Sequence, residues 1–524
     1  MIIVYSKSVN NSSTKSRNNQ TAAAHNKYEN CKERQIYMRP DYFKTTLLRA
    51  DIKGSLDELR QLCGETSDLN IMEVTICSVR CAVVTIEGLV STSSMADLVF
   101  QPLMQLKYCD DAAGIYDYLT QKSLLSTQRI TVNSFSEIVR LLFSGFCVIL
   151  IDGLSKAVAL GIQGFEKRSI SNPDSEQTVR GAQDSFNEVI RNNLALVRMR
   201  MKTPDLRFEM MQCGKLSQTD VCIMYLSGRA DPEMIQTLRS RLKDIELDTV
   251  LSGGYIEPFV DENYRKSFFS SMMTTQRPDV TCLRLNEGRI CILVDGSPFC
   301  LVCPSLFIDS FQTMDDYCTK PYYAAFIRLL KYFAFLLAVG LPGLYLALVM
   351  FHPEAFTLKL LLNLYVSEEA TPFPLAVEMT LLVVMFEIMR EAGIRLPKSI
   401  GGAVSIVGGL IVGDAAVRSG LISVPLLIVV GITATSAFVI PQLDQQISVL
   451  RLFFILAGST AGLFGIAVCA VLFTANICAM DEMSVSYLAP LSPFNKTRAG
   501  GALFRKSFRE YAKSRDTVGD YLER

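Results

Sequence analysis

The chain has 524 residues, 52 basic against 52 acidic groups and two histidines, a balance that offers nothing to a polyanion and little to histidine-based or zinc chemistry. Its fifteen cysteines stand mostly singly among apolar residues, without the regular spacing of a disulfide framework, which fits a reducing compartment. Apolar residues are unevenly placed: the first ~320 positions have an ordinary soluble mix, and charge becomes sparse from 324 to 480.

Residues 1–40 are rich in Asn, Ser, Lys and Thr, bury too little apolar area to offset ordering entropy, and are expected to be disordered. The apolar start MIIVY is too short for a signal peptide. From 41 onward strand-like and helix-like stretches alternate. β-Branched runs lie near 71–76 and 83–86, helical periodicity at 96–108 and 134–144, and CVILIDG at 147–153 reads as a buried strand ending in a turn. A second cycle has strand-like CIMYLSG (222–228), a helix over 231–245 with proline near its start, and strand-like RICILVDG (289–296). ILIDG at 149–153 and ILVDG at 292–296 stand in corresponding places. The fold class is therefore a tandem pair of α/β subdomains, 41–165 and 175–320, followed by an all-α multi-span membrane domain (324–480) and a basic tail (481–524). Asp152 and Asp295 lie in Asp-Gly turns that turn geometry explains. Arg180, Arg191, Arg198 and Arg200 read as a solvated face, or as a surface meeting a partner or the membrane.

Candidate spans run over roughly 326–351, 374–389, 400–417, 421–440 and 450–478. Lys320, Arg328 and Lys331, then Arg390, Arg395 and Lys398, then the basic tail, all mark the same side, which the positive-inside rule makes cytoplasmic. Five full crossings would leave the tail outside, so an even count is expected. Either 400–417 is re-entrant or interfacial, or 355–366 adds an element. Within the stretch 400–417, Gly401, Ser405, Gly409 and Gly413 recur at four-residue steps, a spacing that lets helix backbones approach closely in a bilayer.

Acids inside apolar segments are costly and usually have a task. Glu378 and Glu387, nine apart, point in opposite directions, whereas Thr380 and Glu387 share a face. Glu387 can pair with Arg390, Glu378 can cap its own helix, and Asp414 can pair with Arg418; the competing readings are a polar path for ions or inter-subunit contacts. Cys300-Leu-Val-Cys303 has no second pair at zinc-site spacing, and no phosphate loop, nucleophile elbow or metal cluster is present, so neither enzyme activity nor a cofactor is expected.

REAGIRLPKSIGGAVSIVGGLIVGDAAVRSGLIS (390–423) and FVIP (438–441) resemble the core signature of the A subunits of spore germinant receptors, the GerA family. So, in order, do SEQTVRG (175–181), NLALVRMRMKTPDLR (193–207), RPDV (277–280), GRICILVDGSPF (288–299), FHPEAF (351–356), PFP (372–374) and YLAPLSPF (487–494). The resemblance implies a multi-pass protein of the spore inner membrane with a cytoplasmic N-terminal domain. It implies work with a B subunit like an amino-acid transporter and a lipoprotein C subunit, assembly into an oligomeric ion-conducting core, and a role in triggering germination. The zero net charge suggests no nucleic-acid partner. A scaffold that relays the signal without conducting is the alternative.

Overall fold

A computed structural model describes residues 47–64, 66–104, 111–122, 128–164, 180–396, 413–494 and 517–521, with isolated positions at 176, 178, 500, 501, 504 and 508. The segment expected to be disordered, 1–40, lies outside them.

The N-terminal part holds two five-stranded sheets. The first contains β1 (Leu69–Ile76), β2 (Val79–Ile86), β3 (Arg129–Val132), β4 (Phe146–Ile151) and β5 (Ala157–Gly161) in the order β1-β2-β4-β5-β3. The second contains β6 (Leu206–Cys213), β7 (Thr219–Leu226), β8 (Met273–Thr275), β9 (Ile290–Val294) and β10 (Cys300–Cys303) in the order β6-β7-β9-β10-β8. The two orders are the same, and every pairing is antiparallel. Central strands β4 and β9 are buried along their whole length, as their unbroken apolar runs require of strands covered on both faces.

Helices recur in step with the strands. α1 (Ile52–Cys63) and α2 (Phe135–Leu142) cover one face of the first sheet. α3 (Ile190–Arg200), α4 (Pro232–Lys243) and α5 (Pro278–Asn286) serve the second. The two Asp-Gly turns do the same job in each half. Asp152 Oδ1 accepts from the Ile52 amide (3.2 Å) and Asp295 Oδ1 from the Ile190 amide (3.0 Å), each at the start of its half's first helix. The glycine after each aspartate, at φ 90° and 80°, donates to Ala50 and Glu188 carbonyls. These turns are long-range clamps as well as turns.

The halves are locked by Arg198, which corrects its reading as part of a solvated face. It is fully buried, forks onto Asp68 (2.8 and 3.0 Å) and stacks over Phe143 and Phe208. Arg191 and Arg180 are exposed, as that reading requires.

Among the described residues, five helices of twelve or more residues follow: α6 (Pro321–Phe351), α7 (Leu358–Glu369), α8 (Leu375–Arg395), α9 (Val424–Ala437) and α10 (Asp444–Cys478). α6 and the segment Pro441–Cys478 are long and apolar enough to cross a membrane, and α9 is a shorter apolar helix. α10 is not one straight rod. Gly462 sits at φ 59°, ψ −143°, and the chain folds back there, with Gly465 coming against the backbone of Ala457. Ile447 and Leu450 of the first arm and Ile477 of the second share one cluster with Phe269, Phe307 and Phe335. Gly462 lies beside Phe351, the last residue of α6. The expected single span 450–478 is thus a hairpin, because glycine admits a φ that breaks the helix.

Both ends of the helical part return to the second sheet. Asp316 pairs with Arg328 at the base of α6 (2.7 Å). Past α10, the two-residue strands Asp481–Glu482 and Val485–Ser486 pair, and Met483, Val485, Ala489 and Val518 enter the second subdomain's core. Glu482, buried, joins Arg241 and Ser271.

Candidate functional site at the junction of sheet and helices

Proline creates the first element of the site. Pro342 inside α6 has no N–H, so the carbonyl four residues earlier, Ala338, loses its helical partner. Arg451 of α10 replaces it, donating from Nε to Ala338 O at 2.9 Å. The Arg451 side chain is 1% exposed, and its Nη1 donates to Glu387 Oε1 at 3.1 Å. Glu387 also takes Arg390 one turn on in α8 (2.6 Å), and Arg390 reaches Asp444 and the Ser448 hydroxyl (3.1 Å).

Residues 444, 448 and 451 fall at i, i+4 and i+7 on one face of α10, and 387 and 390 at i and i+3 on α8. The set is two acids and two arginines, so its formal charges cancel. Asp444 also opens α10, where the positive end of the helix dipole favours an anion. Arg451 Nη2 and Arg390 Nε have no protein partner among the described residues. Arg451 is the buried member, and a buried charge costs desolvation and costs more when its partner is removed, which makes the network sensitive to displacement of either helix that carries it.

A cavity of about 920 Å³ opens between the second sheet and the helices, and Asp444 lies on its wall with Glu176, Glu257, Asp261, Arg277 and Lys331. Burial raises Glu176; burial and then Asp261 raise Glu257. Below it, Asp309 is pushed up by burial, but Arg284 and Arg289 outweigh this and hold it below its ordinary value. Lys331 donates to Thr313 Oγ1 (3.1 Å) and Arg328 to Asp316, so both ammonium and guanidinium are built into the junction besides marking a span's end.

The other expected site residues are placed apart. Glu378 is fully buried but makes no cap bond to its own helix; its carboxylate accepts from the Ser423 amide at the start of α9. Thr380 is exposed and bonds the Ala376 carbonyl of its own helix, so it does not join Glu387. Asp414 pairs with Arg418 at 2.9 Å on an exposed surface. Gly401, Ser405 and Gly409 lie outside the described residues. Among the described residues a Cβ on Gly413 would meet Leu427, at 3.8 Å, an ordinary van der Waals contact and not a close approach. The close approach is elsewhere: a Cβ on Gly458 would fall 2.3 Å from Gly343 O, and one on Gly343 would fall 2.3 Å from Phe454 O. The spacing Gly458-x-x-x-Gly462 and the lone arginine in VLRLFF were the signals for this, and counting only acids and only one glycine stripe passes over both.

A family model described as Bacillus/Clostridium GerA spore germination protein matches residues 57–517. The chain belongs to the GerA spore germination family. Relatives of this GerA protein include "Spore germination protein KA" of Bacillus subtilis (strain 168), 34% identical over 468 residues, 88% of this chain and 86% of the relative. "Spore germination protein GerLA" of Bacillus cereus is 33% identical over 450 residues, 85% and 91% of the two chains. "Uncharacterized membrane protein YfkQ" of B. subtilis is 34% identical over 450 residues, 85% and 87%. The crystal structure of the N-terminal domain of the A subunit of the Bacillus megaterium spore germinant receptor GerK3 aligns with TM-score 0.39 and 31% identity, covering 50% of this chain and 98% of that one.

Proposed function

We propose that this GerA chain is the A subunit of a spore germinant receptor that sits in the spore inner membrane, its two-sheet domain cytoplasmic, and works with a transporter-like B subunit and a lipoprotein C subunit. Membership of the family supports the receptor role, and the network Glu387–Arg390–Asp444–Arg451, centred on the buried Arg451, carries the mechanism. Asp444 belongs both to the junction cavity and to the network, so a shift of the soluble domain or of a partner there is felt by α8 and α10 together. The two helices then move as a unit, and copies of the chain assembled around such helices open an ion path.

The direction of each helix favours six crossings. Arg390 near the end of α8 is at the soluble-domain end with Asp444, whereas Gly420 lies against Ala370 at the other end. α6, α8, α9 and the two arms of α10 then make five crossings, and the span expected from the sequence at 400–417 supplies the sixth. With the α10 hairpin counted as two crossings, the tail returns to the side of the soluble domain, as its basic residues require.

One observation favours the second reading, a relay scaffold without a pore. The four charged groups Glu387, Arg390, Asp444 and Arg451 are paired with one another rather than left to line a path. Spores lacking this protein decide the role: loss of germination on one class of nutrients, restored by the wild-type gene, is expected. Unchanged germination across a broad nutrient panel, in a strain without its sister receptors, contradicts it.

A further inference from the structure

At the end of the helical part remote from the soluble domain, five segments bring oxygen atoms together. α6 contributes Tyr345, α7 Glu368, the following loop Thr371, α8 Glu378, and the residue before α9 Ser423. Glu378 is fully buried; one of its oxygens takes the Ser423 amide, and the other has Thr371 Oγ1 at 3.5 Å. Ser423 is 3% exposed and its hydroxyl, three bonds from the amide that touches Glu378, has no partner among the described residues. Glu368 Oε1 and the Tyr345 hydroxyl are likewise buried without a partner among the described residues, and Tyr345, Glu368 and Glu378 lie within electrostatic reach of one another.

Two carboxylates thus share a low-dielectric site, and among the described residues no basic side chain pairs with either. Like charges so placed repel and are poorly solvated unless something positive joins them. Three unpartnered oxygens on three different elements face the same need. Every donor is oxygen, without imidazole or thiolate, which suits hard cations and not the softer transition metals. Tyr345 and Glu368 are only half-buried, so an ion has a way in.

We propose that Tyr345, Glu368, Thr371, Glu378 and Ser423 form a binding site for a hard cation of the alkali or alkaline-earth class. The cation ties α6, α7, α8 and the start of α9 together at the end opposite the charge network. Its use as a station for a permeating ion rests on the conducting role proposed above; its binding does not.

The test uses the full chain in lipid nanodiscs. Its thermal unfolding midpoint is followed while Na⁺, K⁺ or Ca²⁺ replaces choline at constant ionic strength and pH. A saturable rise is expected with at least one of the three, and the arms tell which. Glu368→Gln should need at least tenfold more of that ion for the same rise, and Tyr345→Phe several-fold more. Glu391→Gln, at an exposed helix position, should titrate as wild type does. If small cations act no differently from choline, or Glu368→Gln titrates as wild type, the site is refuted. A midpoint that follows pH while ignoring every cation assigns a shared proton instead and also overturns it. Absent ion flux with binding intact would contradict conduction alone, and flux without binding would contradict this site alone.

Discussion

At the residue scale, the decisive groups are arginines that bury their charge against one specific partner. Arg198 and Arg191 lie on the same helix, yet one is fully buried on Asp68 and the other keeps two-thirds of its side chain in solvent beside Glu87. Removing the first leaves a buried carboxylate without its counter-charge. Arg198→Ala should therefore lower stability by about 3–5 kcal/mol, whereas Arg191→Ala should cost no more than about 1 kcal/mol. Chemical unfolding of the full chain followed by circular dichroism checks both; equal effects would contradict the clamp between the two sheets. Arg198 was not legible as buried, because helical spacing gives its angle and not what lies opposite. Arg451 was legible in principle, as a single charge in an apolar run.

Among the elements, strands were the clearest in the sequence. Both Asp-Gly landmarks end central strands whose apolar runs leave no exposed face, and the matching strand orders follow the matching order of those landmarks. Helix packing was less legible. Small residues at four-residue steps mark where helices can approach, but several stripes compete, and the sequence does not say which one meets a partner. Among the described residues the tight crossing is Gly343 on Gly458, next to Pro342, which already interrupts the hydrogen bonds of α6. Gly458→Val should break this crossing, since the colliding atom is a backbone carbonyl that cannot rotate away. We expect a loss of about 1–3 kcal/mol or more and failure to germinate at matched protein level. Gly431→Val is the control, because nothing lies within 4 Å of a Cβ there, and it should germinate almost normally. Comparable defects in the two variants would refute the packing argument.

On the scale of the whole molecule, the apolar stretch 450–478 is longer than one crossing needs, and that excess length was the sequence's only hint of a hairpin. The turn could not be read further, because a glycine among apolar residues serves equally for close packing and for reversal. The six-crossing arrangement puts Phe464, which is 74% exposed and lies just past the turn, at the outer surface. A cysteine at 464 should react with a membrane-impermeant maleimide in intact cells expressing the chain, as should one at 366, whereas one at 520 should react only after permeabilisation. Protection at 464 equal to that of a cysteine at 452, within the first arm, would mean a single crossing. The central claim is that displacement at the junction passes through Arg451 to helices that gate ions. Its most direct measurement is cation flux from liposomes holding the chain with its transporter-like and lipoprotein partners. The account predicts nutrient-linked flux that Arg451→Gln reduces at least tenfold; no nutrient-linked flux from the complete complex, or full flux from the variant, would contradict it.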